Sequence, residues 1–122
     1  MNNTNLPPCP SSPNCVSTLA PSNDERHAIA PYRYQKSRAE AKEALKAAVA
    51  TLPRIKLVEE DDAYLHYEFT SKLLRFVDDV EFVFDDEAKT IHFRSASRIG
   101  YGDHGVNRDR MEEIRSLLDG KI

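Results

Sequence analysis

Between Ala63 and Arg94 the side chains change character at nearly every second position, which restricts this stretch to a sheet with one apolar and one ionisable face. Leu65, Tyr67 and Phe69 alternate with His66, Glu68 and Thr70. Val80, Phe82 and Phe84 alternate with Asp79, Glu81 and Val83, and Ile91 and Phe93 with His92 and Arg94. Asp85 to Lys89 turn the last two runs into a hairpin, and a one-residue slip there would invert every side chain. Two registers keep apolar residues facing one another. One sets Glu81 opposite Arg94; the other sets Asp79 opposite Arg94 and Glu81 opposite His92. Either gives Arg94 a carboxylate neighbour.

The apolar run from Ile55 to Glu59 adds a strand before the polar turn Glu60-Asp61-Asp62. Ser37 and Glu40 form a capping box, and Ala41, Ala44, Leu45, Ala48, Val49 and Leu52 recur at helical spacing, predicting a helix over 37–51 that Pro53 stops. A closing helix carries Met111, Ile114, Leu117 and Leu118 on one stripe, with Asn107 as the expected N-cap and Gly120 past its end. The order predicts an α+β fold, a four-stranded antiparallel meander with two helices packed on its apolar face. Residues 1–36 contain most of the prolines and no sustained periodicity. They are expected to form an irregular N-terminal arm packed on a single α+β domain of residues 37–122.

At 122 residues the chain can bury a core without staples, and a net charge of -3 disfavours nucleic acid, whose partners usually present a basic surface. No run approaches the ~20 apolar residues of a membrane span. The N-terminus MNNTNLPPCP lacks the layout of a signal peptide, so a cytoplasmic location is expected, or an exported one if a leader has been removed. The aromatic residues at alternate strand positions read as core rather than as a platform for stacking bases. No cofactor motif is visible.

Three segments carry a resemblance: CPSSPNCVST in the arm, RFVDDVEF on the third strand, and RSASRIGYGDHGVNRDRMEEIR at the end. From about Cys9 to Leu118 the chain resembles the family catalogued as domain of unknown function 1499. That resemblance implies one compact domain of a kind found in bacteria and plant plastids, often behind an N-terminal export or membrane segment. It implies no activity.

Chemistry is expected to concentrate around the last motif. Arg108 and Arg110 fall in the first turn of a helix, where the dipole disfavours cations by about 0.3 to 1 kcal/mol each, so nearby carboxylates or a bound anion must offset them. The expected ligand-binding surface comprises Arg75, Asp78, Asp79, Glu81, Arg94, Arg98, Asp103, Asn107 and Arg108. It would serve a small anionic ligand or a protein partner; the competing reading makes it an ion-pair network that only holds the glycine-rich loop to the sheet. A hydrolytic or metal-dependent enzyme is the third reading. Its acid or base candidates are Asp103 and His104, and its metal candidates are His66, Glu68, Glu81 and His92 on the ionisable face. Cys9 and Cys15 match no zinc or thioredoxin-like spacing. They either remain thiols or close a small disulfide loop.

Overall fold

In the computed structural model, which describes residues 6–100 and 102–122, the alternating runs form the centre of a larger sheet than the pattern alone suggests. Residues 1–5 of the arm and Tyr101 of the glycine-rich stretch lie outside the described residues. In chain order the elements are β1 (Cys15–Ser17), β2 (Tyr32–Arg33), α1 (Arg38–Ala50), β3 (Ile55–Asp61), β4 (Tyr64–Thr70), β5 (Val77–Asp85), β6 (Thr90–Ser97) and α2 (Val106–Leu118). β3, β4, β5 and β6 pair antiparallel in succession. The β5–β6 register sets Glu81 opposite Arg94, the first of the two that parity allowed.

Among the described residues the sheet has six strands, not four, because the arm supplies β1 and β2. Cys15 lies opposite Ala96 and Ser17 opposite Arg94, while Tyr32 lies opposite Ile91, so both arm strands run along the outer edge of β6. The arm is therefore not irregular throughout. Its strands are too short to show a period, and they form because β6 offers unpaired backbone that water would otherwise have to satisfy. Arm residues also enter the core. Val16, Ile29, Tyr32 and Tyr34 are buried, and the Tyr32 ring lies 4.5 Å from that of Phe93.

α1 and α2 cover one face of the sheet. Leu45 and Val49 from α1, with Met111 and Ile114 from α2, join Leu65, Phe82 and Phe93 in a single buried cluster. The Ser37–Glu40 capping box is present at the start of α1. α2 begins differently from expectation, with Gly105 as N-cap at φ 79° and Asn107 inside the first turn. A positive φ favours glycine there. No helix among the described residues is long and apolar enough to cross a membrane.

Cys9 and Cys15 are joined as a disulfide, with Cα atoms 5.7 Å apart. Because the closed loop is short, its reduction should lower the stability of the fold by only about 2 to 3 kcal/mol. Melting with and without reductant measures this; two titratable thiols in the native oxidised protein and an unchanged melting temperature would contradict it.

Candidate functional site

The motif RSASRIGYGDHGVNRDR is organised around the fully buried side chain of Asn107. Its Nδ2 donates to Asp103 Oδ2 at 2.7 Å, Ser97 Oγ at 3.0 Å and the Asn14 carbonyl at 3.2 Å. Its Oδ1 accepts from Ser95 Oγ at 2.7 Å and from Arg110 Nη1 at 2.8 Å. The arm, β6, the glycine-rich loop and α2 are thus fastened at one residue. Arg110 extends the network, since its Nη2 donates to Asp78 Oδ2 at 2.7 Å and its guanidinium lies over the Phe69 ring at 4.7 Å. Both side chains of the Arg110–Asp78 pair are nearly buried, 13% and 11% exposed.

Asp103 supplies the cap that Gly105 cannot. It accepts from the backbone N–H groups of Gly105 at 2.8 Å and Asn107 at 3.0 Å, placing a carboxylate at the positive end of α2. Burial acts to raise its pKa, but the hydrogen bonds from Asn107 and the loop backbone outweigh it and hold the carboxyl below the usual range. A carboxylate so saturated is a weak acid or base candidate at neutral pH. His104 sits beside it in the left-handed region, φ 55°.

A separate cluster occupies the opposite face of the sheet. Arg98 donates to both oxygens of Asp79, at 2.8 and 2.9 Å, and to Glu68 at 2.7 Å. His66 Nε2 meets Asp79 Oδ1 at 2.8 Å, and the Tyr64 hydroxyl donates to Glu81 at 2.6 Å. Arg98 above all, and then His66, hold the Asp79 carboxyl below its ordinary value against the opposing effect of burial. Arg94, across from Glu81, instead reaches the Pro8 carbonyl at 3.4 Å, and its buried Nε has no hydrogen-bond partner among the described residues.

The expected ligand-binding residues therefore do not share one surface. Asp78 and Asn107 point to the helix side, whereas Asp79, Glu81, Arg94 and Arg98 lie on the other, since neighbouring positions on a strand face opposite ways. Arg75 belongs to the β4–β5 loop. Among the described residues Arg108 pairs with no carboxylate and donates to the carbonyls of Glu25 and Arg26, at 3.4 and 3.3 Å. Of the metal candidates, His66 and Glu68 are engaged as above, while His92 Nδ1 meets Thr18 Oγ1 at 3.1 Å. Among the described residues no three His, Cys, Asp or Glu side chains are grouped to hold an ion. The sequence reading missed the central part of Arg110. Helical spacing contained the signal, because 107, 110, 111 and 114 fall on one stripe.

A cleft of about 390 Å³ opens beside this network, between the end of α1, the β4–β5 loop and the first turns of α2. Leu52, Pro53, Phe69 and Val106 form its apolar lining, Asp78 and Arg110 belong to it, and Arg54, Lys72, Asp109 and Glu113 add charge. Its volume falls within the range of small-molecule sites. Another cleft, about 420 Å³, lies near the chain's last residues. There the lining cation Arg115 is already bound to the carbonyls of Ala30 and Pro31 and to Glu112.

Comparison with curated proteins finds no match. A family model described as protein of unknown function (DUF1499) matches residues 5–118, so the chain belongs to that family.

Proposed function

We propose that this domain is a binding module that takes a small organic anion, a carboxylate or phosphate with an apolar part, in the cleft beside Asp78 and Arg110. The observation that carries the reading is the combination of apolar walls from Leu52, Pro53, Phe69 and Val106 with the cations Arg54 and Lys72 in one opening. Neither cation pairs with a carboxylate among the described residues, whereas Arg110 is already neutralised by Asp78. Arg54 donates through Nε to the Thr70 carbonyl at 2.9 Å, which holds its guanidinium in place. The Cys9–Cys15 disulfide supports an oxidising compartment for the module rather than the reducing cytoplasm.

A ligand that binds only the folded protein adds about 2.7 kcal/mol of stability at a hundred times its dissociation constant, and so raises the melting temperature. In a melting screen of inorganic phosphate, acetate and aryl carboxylates, the aryl carboxylates should stabilise most, and Lys72→Ala combined with Arg54→Ala should remove the effect. Equal melting in all these anions would contradict the reading, as would stabilisation that survives the double variant.

A second reading rests on the pairing of Arg98 and Arg110, which supports a purely structural role for the arginine-rich motif itself. The two are compatible: the motif holds the sheet and α2 together, and the cleft beside it binds.

A further inference from the structure

A different feature lies at the end of the sheet where β4 turns into β5. The loop Ser71–Phe76 is closed at its base, with the Ser71 N–H donating to the Phe76 carbonyl at 2.8 Å and the Phe76 N–H to Ser71 Oγ at 2.9 Å. Arg75 adopts φ 58°, which completes the tight reversal. The loop thus has a defined shape, and at its tip it holds Leu73 and Leu74 in water, 85% and 69% exposed.

The neighbouring strand ends enlarge the apolar surface. The Arg98 N–H donates to the Val77 carbonyl at 3.1 Å, which brings the segment carrying the exposed Ile99 beside the exposed Phe76. Val106, also exposed, shares the adjoining cleft with Ser71 and Lys72. Isolated exposed leucines are ordinary on a protein surface, but apolar side chains gathered at one end call for a partner.

Charge says which partner. Lys72 and Arg75 flank the two leucines directly in sequence, and neither pairs with a carboxylate among the described residues. Of the nearby carboxylates, Glu68 and Asp79 are held by Arg98 and Asp78 by Arg110, while Asp109 and Glu113 lie on α2 across the adjoining cleft. An apolar tip between two free cations suits a layer with anionic groups outside and hydrocarbon beneath. The leucines would enter the layer while Lys72 and Arg75 remain at headgroup level.

We propose that the Leu73–Leu74 tip docks the domain onto an anionic lipid bilayer, inserting the two leucines shallowly beneath the headgroups. The whole-chain charge of -3 supplies no general attraction to such a surface, so binding depends on this end alone.

Sedimentation with vesicles tests the proposal, using pure phosphatidylcholine and phosphatidylcholine containing phosphatidylserine. The full chain should bind the anionic vesicles, with affinity falling as salt rises. Leu73→Asp combined with Leu74→Asp should weaken binding by about a hundredfold or more, since two buried leucines are lost and two charges added. Arg75→Glu should weaken it by about tenfold or more, through loss of a cation near the surface and gain of an anion. Melting temperatures of both variants should match wild type because the altered side chains are exposed at the tip. Failure of the wild type to bind anionic vesicles overturns the proposal, as does equal binding to neutral ones or binding undiminished in the leucine variant. Tip-dependent self-association without vesicle binding overturns it in favour of a second copy of the chain. None of these outcomes depends on whether the cleft takes an anion.

Discussion

Arg110→Met will destabilise the domain by about 3 to 5 kcal/mol, a large share of the roughly 5 to 15 kcal/mol that holds a protein of this kind together. Methionine replaces much of the packing of the arginine stem and loses the guanidinium. What remains is the nearly buried Asp78, without the cation that its carboxylate faces at 2.7 Å. The cost comes mainly from leaving that charge stranded, because an ion pair removed whole from such a place can be nearly neutral. Lysine should rescue little, since its ammonium cannot reproduce the planar contacts to Asp78, Ser95 and Asn107 together with the stacking on Phe69. Denaturant unfolding measures the loss. Arg108→Ala is the comparison, and because Arg108's hydrogen bonds among the described residues are to arm carbonyls near the distance limit, its loss should cost under about 1 kcal/mol.

Asn107→Ala should be of similar size, about 3 to 5 kcal/mol, for a different reason. The side chain has five hydrogen-bond partners from a fully buried position, and its removal takes one from each, although the Asn14 carbonyl keeps the Ser97 N–H and Ser95 Oγ keeps Arg110. Each unsatisfied buried group costs about 1 to 3 kcal/mol, reduced where local relaxation or water repairs it. A second readout separates loss of the network from a simple cavity. Asp103 loses the hydrogen bond from the Asn107 side chain that helps hold its pKa down, so its titration should move back up toward the usual carboxylate value. An unchanged Asp103 titration would show that the network is not coupled in this way.

The parts of the fold legible in advance are those with their own local signal. Ser37 and Glu40 announced α1 because a capping box is a contact between residues close in sequence. Parity in the β5–β6 hairpin left two registers, one of them the Glu81–Arg94 pairing found. β1 and β2 had no such signal, since strands of three and two residues show no period and exist only because β6 has a free edge. The start of α2 misled for a related reason. Asn107 is a good capping residue by type, but its side chain turns inward and Asp103 caps in its place.

The site was less legible than the fold. Grouping Asp78 with Asp79 ignored the alternation that placed their neighbours correctly, and the sheet sends the first to Arg110 and the second to Arg98. The dipole argument applied to Arg108 and Arg110 alike, and only the buried stripe of α2, with Asn107, Met111 and Ile114, separates them. In the β4–β5 tip the sequence singles out Arg75 but not Leu73 and Leu74, since a lone apolar pair shows no period that marks the tip as exposed. Its exposure follows from the loop closure between Ser71 and Phe76, which only the folded chain reveals.

That the charged motif is an internal lock between α2 and the sheet is tested most directly by a double-mutant cycle on Arg110 and Asp78. Unfolding free energies of Arg110→Met, Asp78→Leu and the combined variant give the coupling between the two side chains, free of what each contributes alone. A coupling of about 2 kcal/mol or more is expected, with the double variant more stable than Arg110→Met because no charge is then left unpaired. Additive losses, agreeing within about 0.5 kcal/mol, would contradict it and show that the Arg110–Asp78 contact does not hold the domain together.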